Sequence, residues 1–147
     1  MAETKRVLLV ANRTALTQAL HDEVRKRATD GEHSFHLLVP AHPSGLHRVV
    51  DPEVAGREAA QARLEEALEA LGNAAAPAPI TGEVGDADPI AAIHDAMNGK
   101  EFDEIVISTL PKRISKWLHL DLPSKARGMG LPVTHIESMP AGETVAV

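Results

Sequence analysis

The sequence contains no cysteine. Disulfides, thiolate zinc sites, iron–sulfur clusters and thiol nucleophiles are therefore excluded. No apolar run approaches the roughly 18 residues needed to cross a bilayer, so no membrane partner is expected. Internal repeats are missing too. Met1 to Arg6 leads straight into a strand-like run, without the pattern of a signal peptide, and the expected location is cytoplasmic. Several motifs are also absent. There is no G-x-x-x-x-G-K-[ST], which excludes a P-loop, and no G-x-G-x-x-G after the first apolar run, which argues against a standard dinucleotide site. No G-x-S-x-G marks a serine nucleophile. The first run ends in Ala11-Asn12, without the paired acids of a magnesium-binding phosphoreceiver.

What remains is a globular composition. Hydrophobic residues make up 44% and charged residues 24% of 147 residues, enough for one domain with a substantial core. The 15 Lys and Arg against 21 Asp and Glu give a net charge of −6, which disfavours nucleic acid as a partner.

Apolar runs alternate with helical patterns along the chain. Val7–Ala11 is a short continuous apolar run, as expected of a strand covered on both faces. Asn12 or Thr14 then offers an N-cap, and Leu16, Ala19, Leu20, Val24 and Ala28 recur at helical spacing up to Asp30-Gly31. Phe35–Val39 reads as a second strand stopped by Pro40, and a turn-rich loop runs from Ala41 to about Val50. Asp51-Pro52 opens a helix whose buried face is Ala60, Leu64, Ala67, Leu68 and Leu71, with Gly72 as its end. Ile80–Val84 is a third strand. Asp88-Pro89 opens another helix, with Ile90, Ile93, His94 and Met97 as a partly buried stripe and Asn98-Gly99 as its end. Glu104–Ser108 is the fourth strand. Leu110–Leu120 is irregular or partly helical, Leu122-Pro123 opens a short helix, and Val133–Ile136 is the fifth strand.

This order predicts a single-domain α/β fold over residues 1–147, with a C-terminal tail at 137–147. Right-handed crossovers make the sheet mostly parallel with helices on both faces, and the expected fold is a doubly wound, Rossmann-like, five-stranded sheet taken in the strand order 3-2-1-4-5. Ligands of such sheets bind beyond the carboxyl ends of the strands, where the order reverses. Here the reversal lies between the first and fourth strands. It points to Asn12-Arg13-Thr14 and to Ser108-Thr109-Leu110-Pro111-Lys112-Arg113.

The second of these loops begins a basic stretch, with Lys112, Arg113, Lys116, Lys125 and Arg127 against the single acid Asp121. Cations neutralise phosphate and hydroxyls complete an anion site, so Ser108, Thr109 and Ser115 join the candidates, with Arg13 approaching from the neighbouring loop. The alternative is a solvated basic face that balances the acidic helices. Trp117, the only tryptophan, suits a core or interface anchor better than a base-stacking platform. Of eight histidines, His42 and His47 share a loop with Asp51 close behind, but no metal motif is matched and no metal is assigned.

The chain resembles the universal stress proteins over nearly its whole length, to about Ile136. The likeness rests on the five-strand alternation and on the Arg/Glu/Ala-rich helix Arg57–Leu71. It rests also on Gly85-Asp86-Ala87-Asp88-Pro89 before the third helix, on Phe102–Ser108 as the fourth strand, and on Leu131-Pro132-Val133 opening the fifth. The resemblance implies a homodimer through the fifth strand and, in ATP-binding members, G-x-x-G, nine residues, then G-[ST] after the fourth strand. From Ser108 to Asp121 this chain has none of those glycines. Glycine permits close backbone approach to a polyphosphate, and Pro111 lacks even an amide donor. ATP or another nucleotide is the cofactor the family implies, while tight ATP binding of the usual kind is not expected.

The functional expectation is a non-catalytic, universal-stress-like protein with a modified nucleotide or phosphate pocket. Lys112, Arg113, Ser115 and Lys116 would meet the small anionic ligand, and Ser108 and Thr109 would line the strand end. Asn12 and Arg13 would close the other side, and the resemblance to the family's adenine pocket implies that Val39 and Pro40 lie near an apolar ring. Two alternatives are a dimeric interaction module with a closed pocket, and a small phosphoester hydrolase or transferase using His119 or Asp121.

Overall fold

A computed structural model describes residues 4–41 and 52–139, the side chains of 52–55 excepted. The central strand β1 (Lys5–Val10) is followed by α1 (Gln18–Thr29), β2 (His33–Pro40), α2 (Pro52–Ala75) and β3 (Ile80–Gly85). Then come α3 (Pro89–Gly99), β4 (Glu104–Thr109), the short α4 (Lys116–His119), α5 (Leu122–Arg127) and β5 (Val133–Glu137). The sheet is parallel throughout and runs β3-β2-β1-β4-β5, the expected order.

Continuous apolar runs form strands here because both sheet faces are covered. In β1, Val7 and Leu9 pack in a core with α1 and α2, while Leu8 and Val10 pack on the opposite face with α3 and α5. All four side chains are fully buried. Burying one such side chain stabilises the fold by roughly 1.5–3 kcal/mol relative to leaving it exposed. Gly82 and Gly85 explain why β3 reads poorly as a strand. A Cβ on Gly82 would stand 2.6 Å from Leu64 Cδ1, and one on Gly85 would stand 2.8 Å from Ala92 Cβ. The two helices approach β3 this closely from opposite faces only because side chains are missing there.

Several boundaries differ from the sequence reading. Helix α1 is capped by Thr17, whose hydroxyl accepts from the Leu20 amide, and not by Asn12 or Thr14. Residues 12–17 are drawn into turns by the Ala15 amide bonding to the Asn12 carbonyl and the Thr17 amide to the Thr14 carbonyl. Leu16 therefore precedes the helix and is exposed, off its buried face. Gly72 does not end α2. The helix continues to Ala75 because Ala74 and Ala75 are both buried against the core. His94 is exposed: it follows Ile93, which faces the sheet, and one helical step of about 100° turns it to solvent. Asp88 caps α3 as expected, accepting from the Ile90 amide at 3.0 Å, with Pro89 in the first turn. The expected cap Asp51 and the loop histidines His42 and His47 lie outside the described residues.

One polar cluster ties α1 to the far half of the sheet. Arg27 donates from Nε to Glu104 Oε1 at 3.1 Å, and from Nη2 to Glu104 Oε2 and Thr134 Oγ1, each at 3.2 Å. Its remaining nitrogen pairs with Glu23 one turn earlier in α1. Burial disfavours its charge, but the hydrogen bonds and charges of Glu104 and Glu23 outweigh this and raise the guanidinium pKa. Arg27→Met would leave Glu104 without its cation. We expect it to lower unfolding free energy by about 1.5–3 kcal/mol, the range for hydrogen bonds to charged groups, measured by urea denaturation. An unchanged midpoint would contradict this account.

Candidate functional site

Strands β1 and β4 are neighbours, and the connections that leave them go to opposite faces of the sheet, to α1 and to α4–α5. A cavity of about 100 Å³ opens at this reversal. One wall is the turn after β1, with Asn12, Arg13 and Thr14, and the facing wall is the end of β4, with Ser108, Thr109 and Leu110. Ser115, Lys116 and Trp117 close it from α4, and Pro40 and Ala41 border it where β2 ends.

The cavity is floored by hydroxyl groups. Of its lining residues Thr14, Ser108, Thr109 and Ser115 are between 1% and 4% exposed, and Thr17, which does not line it, is 3% exposed. Buried hydroxyls need partners, and here they find one another across elements. Ser108 donates to Thr14 Oγ1 at 2.6 Å, and Thr17 donates to the Thr14 carbonyl at 2.9 Å. Ser138, just past β5, donates to Thr17 Oγ1 at 3.0 Å. Ser115 caps α4 by accepting from the Leu118 amide at 3.2 Å. Two cations, Arg13 and Lys116, join these hydroxyls, and no carboxylate is among the described lining residues. In a chain of net charge −6 this wall therefore favours an anion.

The candidates read from the sequence divide into two groups. Asn12, Arg13, Pro40, Ser108, Thr109, Ser115 and Lys116 all line the cavity. Val39, Lys112 and Arg113 do not. Val39 is fully buried in the core beneath α1 and α2, because strand alternation turns it to the face opposite its neighbour's direction. Lys112 and Arg113 are exposed on the turn that closes when the Ile114 and Ser115 amides bond to the Pro111 carbonyl. Leu110, nearly buried, stands on the cavity wall in the stretch where a glycine-rich loop was sought. Trp117 is half-buried and does two things: it lines the cavity and packs against the α3–α5 core.

Asn12 has a structural task that its position in the sequence did not suggest. Its side-chain amide donates to the Pro40 carbonyl at 2.5 Å, and its oxygen accepts from Arg63 of α2. It thus joins the ends of β1 and β2 to a helix, and only part of its hydrogen-bonding capacity remains for a ligand. Arg63 lies 51 residues away in a charge-rich helix, and nothing in the sequence pattern singles it out. Thr14 was visible as a cap candidate and as part of the loop after the first strand, but not as a site residue.

His135 on β5 was also missed. Thr109 donates its hydroxyl to the Leu110 carbonyl at 2.8 Å, so its oxygen accepts from His135 Nε2–H, also at 2.8 Å. Burial lowers the His135 pKa, the Arg127 charge lowers it further, and Glu137 opposes both.

No family model matches the sequence, and no curated protein matches it either. Solved structures do. A universal stress protein in complex with cAMP superimposes with a TM-score of 0.64 at 16% identity, covering 92% of this chain and 98% of that one. A protein of the universal stress family from Burkholderia pseudomallei gives 0.60 at 14% identity, covering 91% and 96%. The universal stress protein from Archaeoglobus fulgidus in complex with dAMP gives 0.53 at 17% identity, covering 92% and 99%. The chain has the universal stress protein fold.

The His135 environment sets a pH dependence. Its pKa is lower folded than unfolded, so between the two values the unfolded chain binds more protons. The stability it contributes is complete above the ordinary value of 6.5 and is lost as pH falls below it toward the folded pKa. We expect an NMR titration midpoint for His135 below 6.5. We also expect the stability difference between wild type and His135→Gln to shrink on acidification through that window. A midpoint above 6.5 would contradict this.

Proposed function

We propose that the chain is a non-catalytic, cytoplasmic member of the universal stress proteins. Its cleft between β1 and β4 would hold a small phosphate-bearing ligand, a nucleoside monophosphate or related phosphate ester. The observation that carries this reading is the cleft itself, lined by buried hydroxyls with Arg13 and Lys116 and without a carboxylate among its described lining residues. Hydroxyl donors and a cation recognise a phosphate directly. Without carboxylates to hold a divalent ion, that recognition needs no magnesium from these residues. Structural neighbours solved in complex with cAMP and with dAMP support a mononucleotide as the ligand class. The stretch from Leu110 to Trp117 offers no glycine for a triphosphate to approach.

A competing reading is a closed pocket in an interaction module. Two observations favour it: the cavity is about 100 Å³, below the roughly 300–1,000 Å³ of typical ligand sites, and Leu110, Ile114 and Trp117 occupy its wall. A thermal-shift and calorimetric panel of AMP, cAMP, ATP and inorganic phosphate, with and without magnesium, separates the two. Ligand that binds only the folded state raises the midpoint by mass action. We expect stabilisation by a monophosphate, independent of magnesium, and weaker by about tenfold in Lys116→Ala, which loses one charge-assisted bond. No shift with any ligand would support the closed module, and tight magnesium-dependent ATP binding would overturn both.

The second element of the reading is a homodimer through β5. This strand is the outer edge on its side of the sheet, and it carries no Lys and no internal Pro. A two-fold axis would pair the two copies of β5 antiparallel. Ile136 is partly buried against the α1–α2 core, so a charge there would damage the monomer as well. We expect a dimer by sedimentation at micromolar concentration. A wild-type monomer there would eliminate the interface.

A further inference from the structure

A second cavity, of about 410 Å³, lies at the opposite end of the sheet, under the amino-terminal ends of β1, β2 and β3. Arg6, Ser34 and Thr81, each the second residue of its strand, reach it, as do Lys100 and Phe102 from the connection between α3 and β4. It is remote from the reversal between β1 and β4, and the rule that places ligands at carboxyl strand ends does not account for it. Its volume falls within the range of small-molecule sites.

The polar wall is built in advance. His36 is 5% exposed, and both of its ring nitrogens are engaged across the β2–β3 pair. Nε2 donates to Glu83 Oε2 at 2.5 Å, and Nδ1 accepts from the Thr81 hydroxyl at 2.7 Å. The two bonds hold the ring in one orientation. Phe102 packs beside it, with ring centroids 5.9 Å apart and planes inclined by 30°. Together with Pro79 these rings make a flat, largely apolar wall suited to a planar ring.

The charge of the ligand follows from which groups already have partners. Glu101 pairs with Arg6 at 3.2 Å, and Asp103 accepts from the Arg6 backbone amide at 2.8 Å. Glu83 accepts from His36. The Lys100 ammonium has no ion pair among the described residues, and the Ser34 hydroxyl has no hydrogen-bond partner among them. Both residues line the cavity, and a cation together with a hydroxyl suits the two oxygens of a carboxylate. We propose that this cavity is a second ligand site that takes a small planar aromatic carboxylate. Its ring lies against Phe102 and its carboxylate meets Lys100 and Ser34.

The test is an amide NMR titration of the full chain with 2-naphthoate, repeated with the neutral 2-naphthamide and with the variant Lys100→Gln. Lys100 is exposed, so the variant is expected to fold as the wild type does. The proposal expects saturable shifts at Ser34, Thr81, Lys100 and Phe102, with Thr109 and Ser115 unmoved. It expects binding about tenfold weaker for the amide and for the variant, the loss of one hydrogen bond to a charged group. Shifts that do not saturate, or that centre on Thr109 and Ser115, overturn the site. Equal binding of the amide, or an unchanged affinity in Lys100→Gln, overturns the assignment of a carboxylate. Because the readout is localised, failure here leaves the phosphate reading of the first cavity unaffected.

Discussion

The structure depends on β1 being covered on both faces at the centre of a parallel sheet. Val7, Leu8, Leu9 and Val10 alternate between two cores, and each core recruits its own pair of helices. With β1 central, its neighbours are β2 on one side and β4 on the other. The connections after β1 and β4 therefore diverge to opposite faces, and the space between them is the first cavity. Hydrophobic burial thus decides where a polar site can exist.

The polar groups in that space serve first to hold it open and ordered. Ser108 to Thr14 and Ser138 to Thr17 bind the turn after β1 to β4 and to the end of β5. Asn12 and Arg63 bind it to β2 and α2. A buried hydroxyl or amide left alone would cost on the order of 1–3 kcal/mol, so this network constrains the wall as firmly as the apolar core does. Arg13 and Lys116 then supply positive charge at a rim from which carboxylates are absent among the described residues. The result is a small anion-favouring cleft in an acidic protein, without the flexible glycine backbone that a polyphosphate would need.

The two ends of the sheet differ in how they are sealed. At the carboxyl end the short α4 and Trp117 narrow the cleft. At the amino end α3 stops at Gly99, and the next residues, Lys100 to Asp103, cross back to β4 without covering the starts of β2 and β3. Closure by a helix and exposure past a helix end follow from the same chain lengths.

The sequence by itself determined the elements, their order and the sheet topology. These depend on continuous apolar runs for the strands, on apolar spacing of three to four residues for the helices, and on local signals such as Asp88-Pro89 at a helix start. It also pointed to the two loops that border the first cavity, because the reversal follows from the strand order. Which side chains meet in those loops was decided only by tertiary structure. A one-residue step on β2 separates Val39, sealed in a core, from Pro40 at the cleft. One turn separates Lys116 on the wall from Lys112 and Arg113 outside it. The pairs Asn12–Arg63, Thr109–His135 and Thr81–His36 join residues 51, 26 and 45 positions apart. Strand register and helix placement set such contacts, and neither leaves a local pattern in the residues themselves.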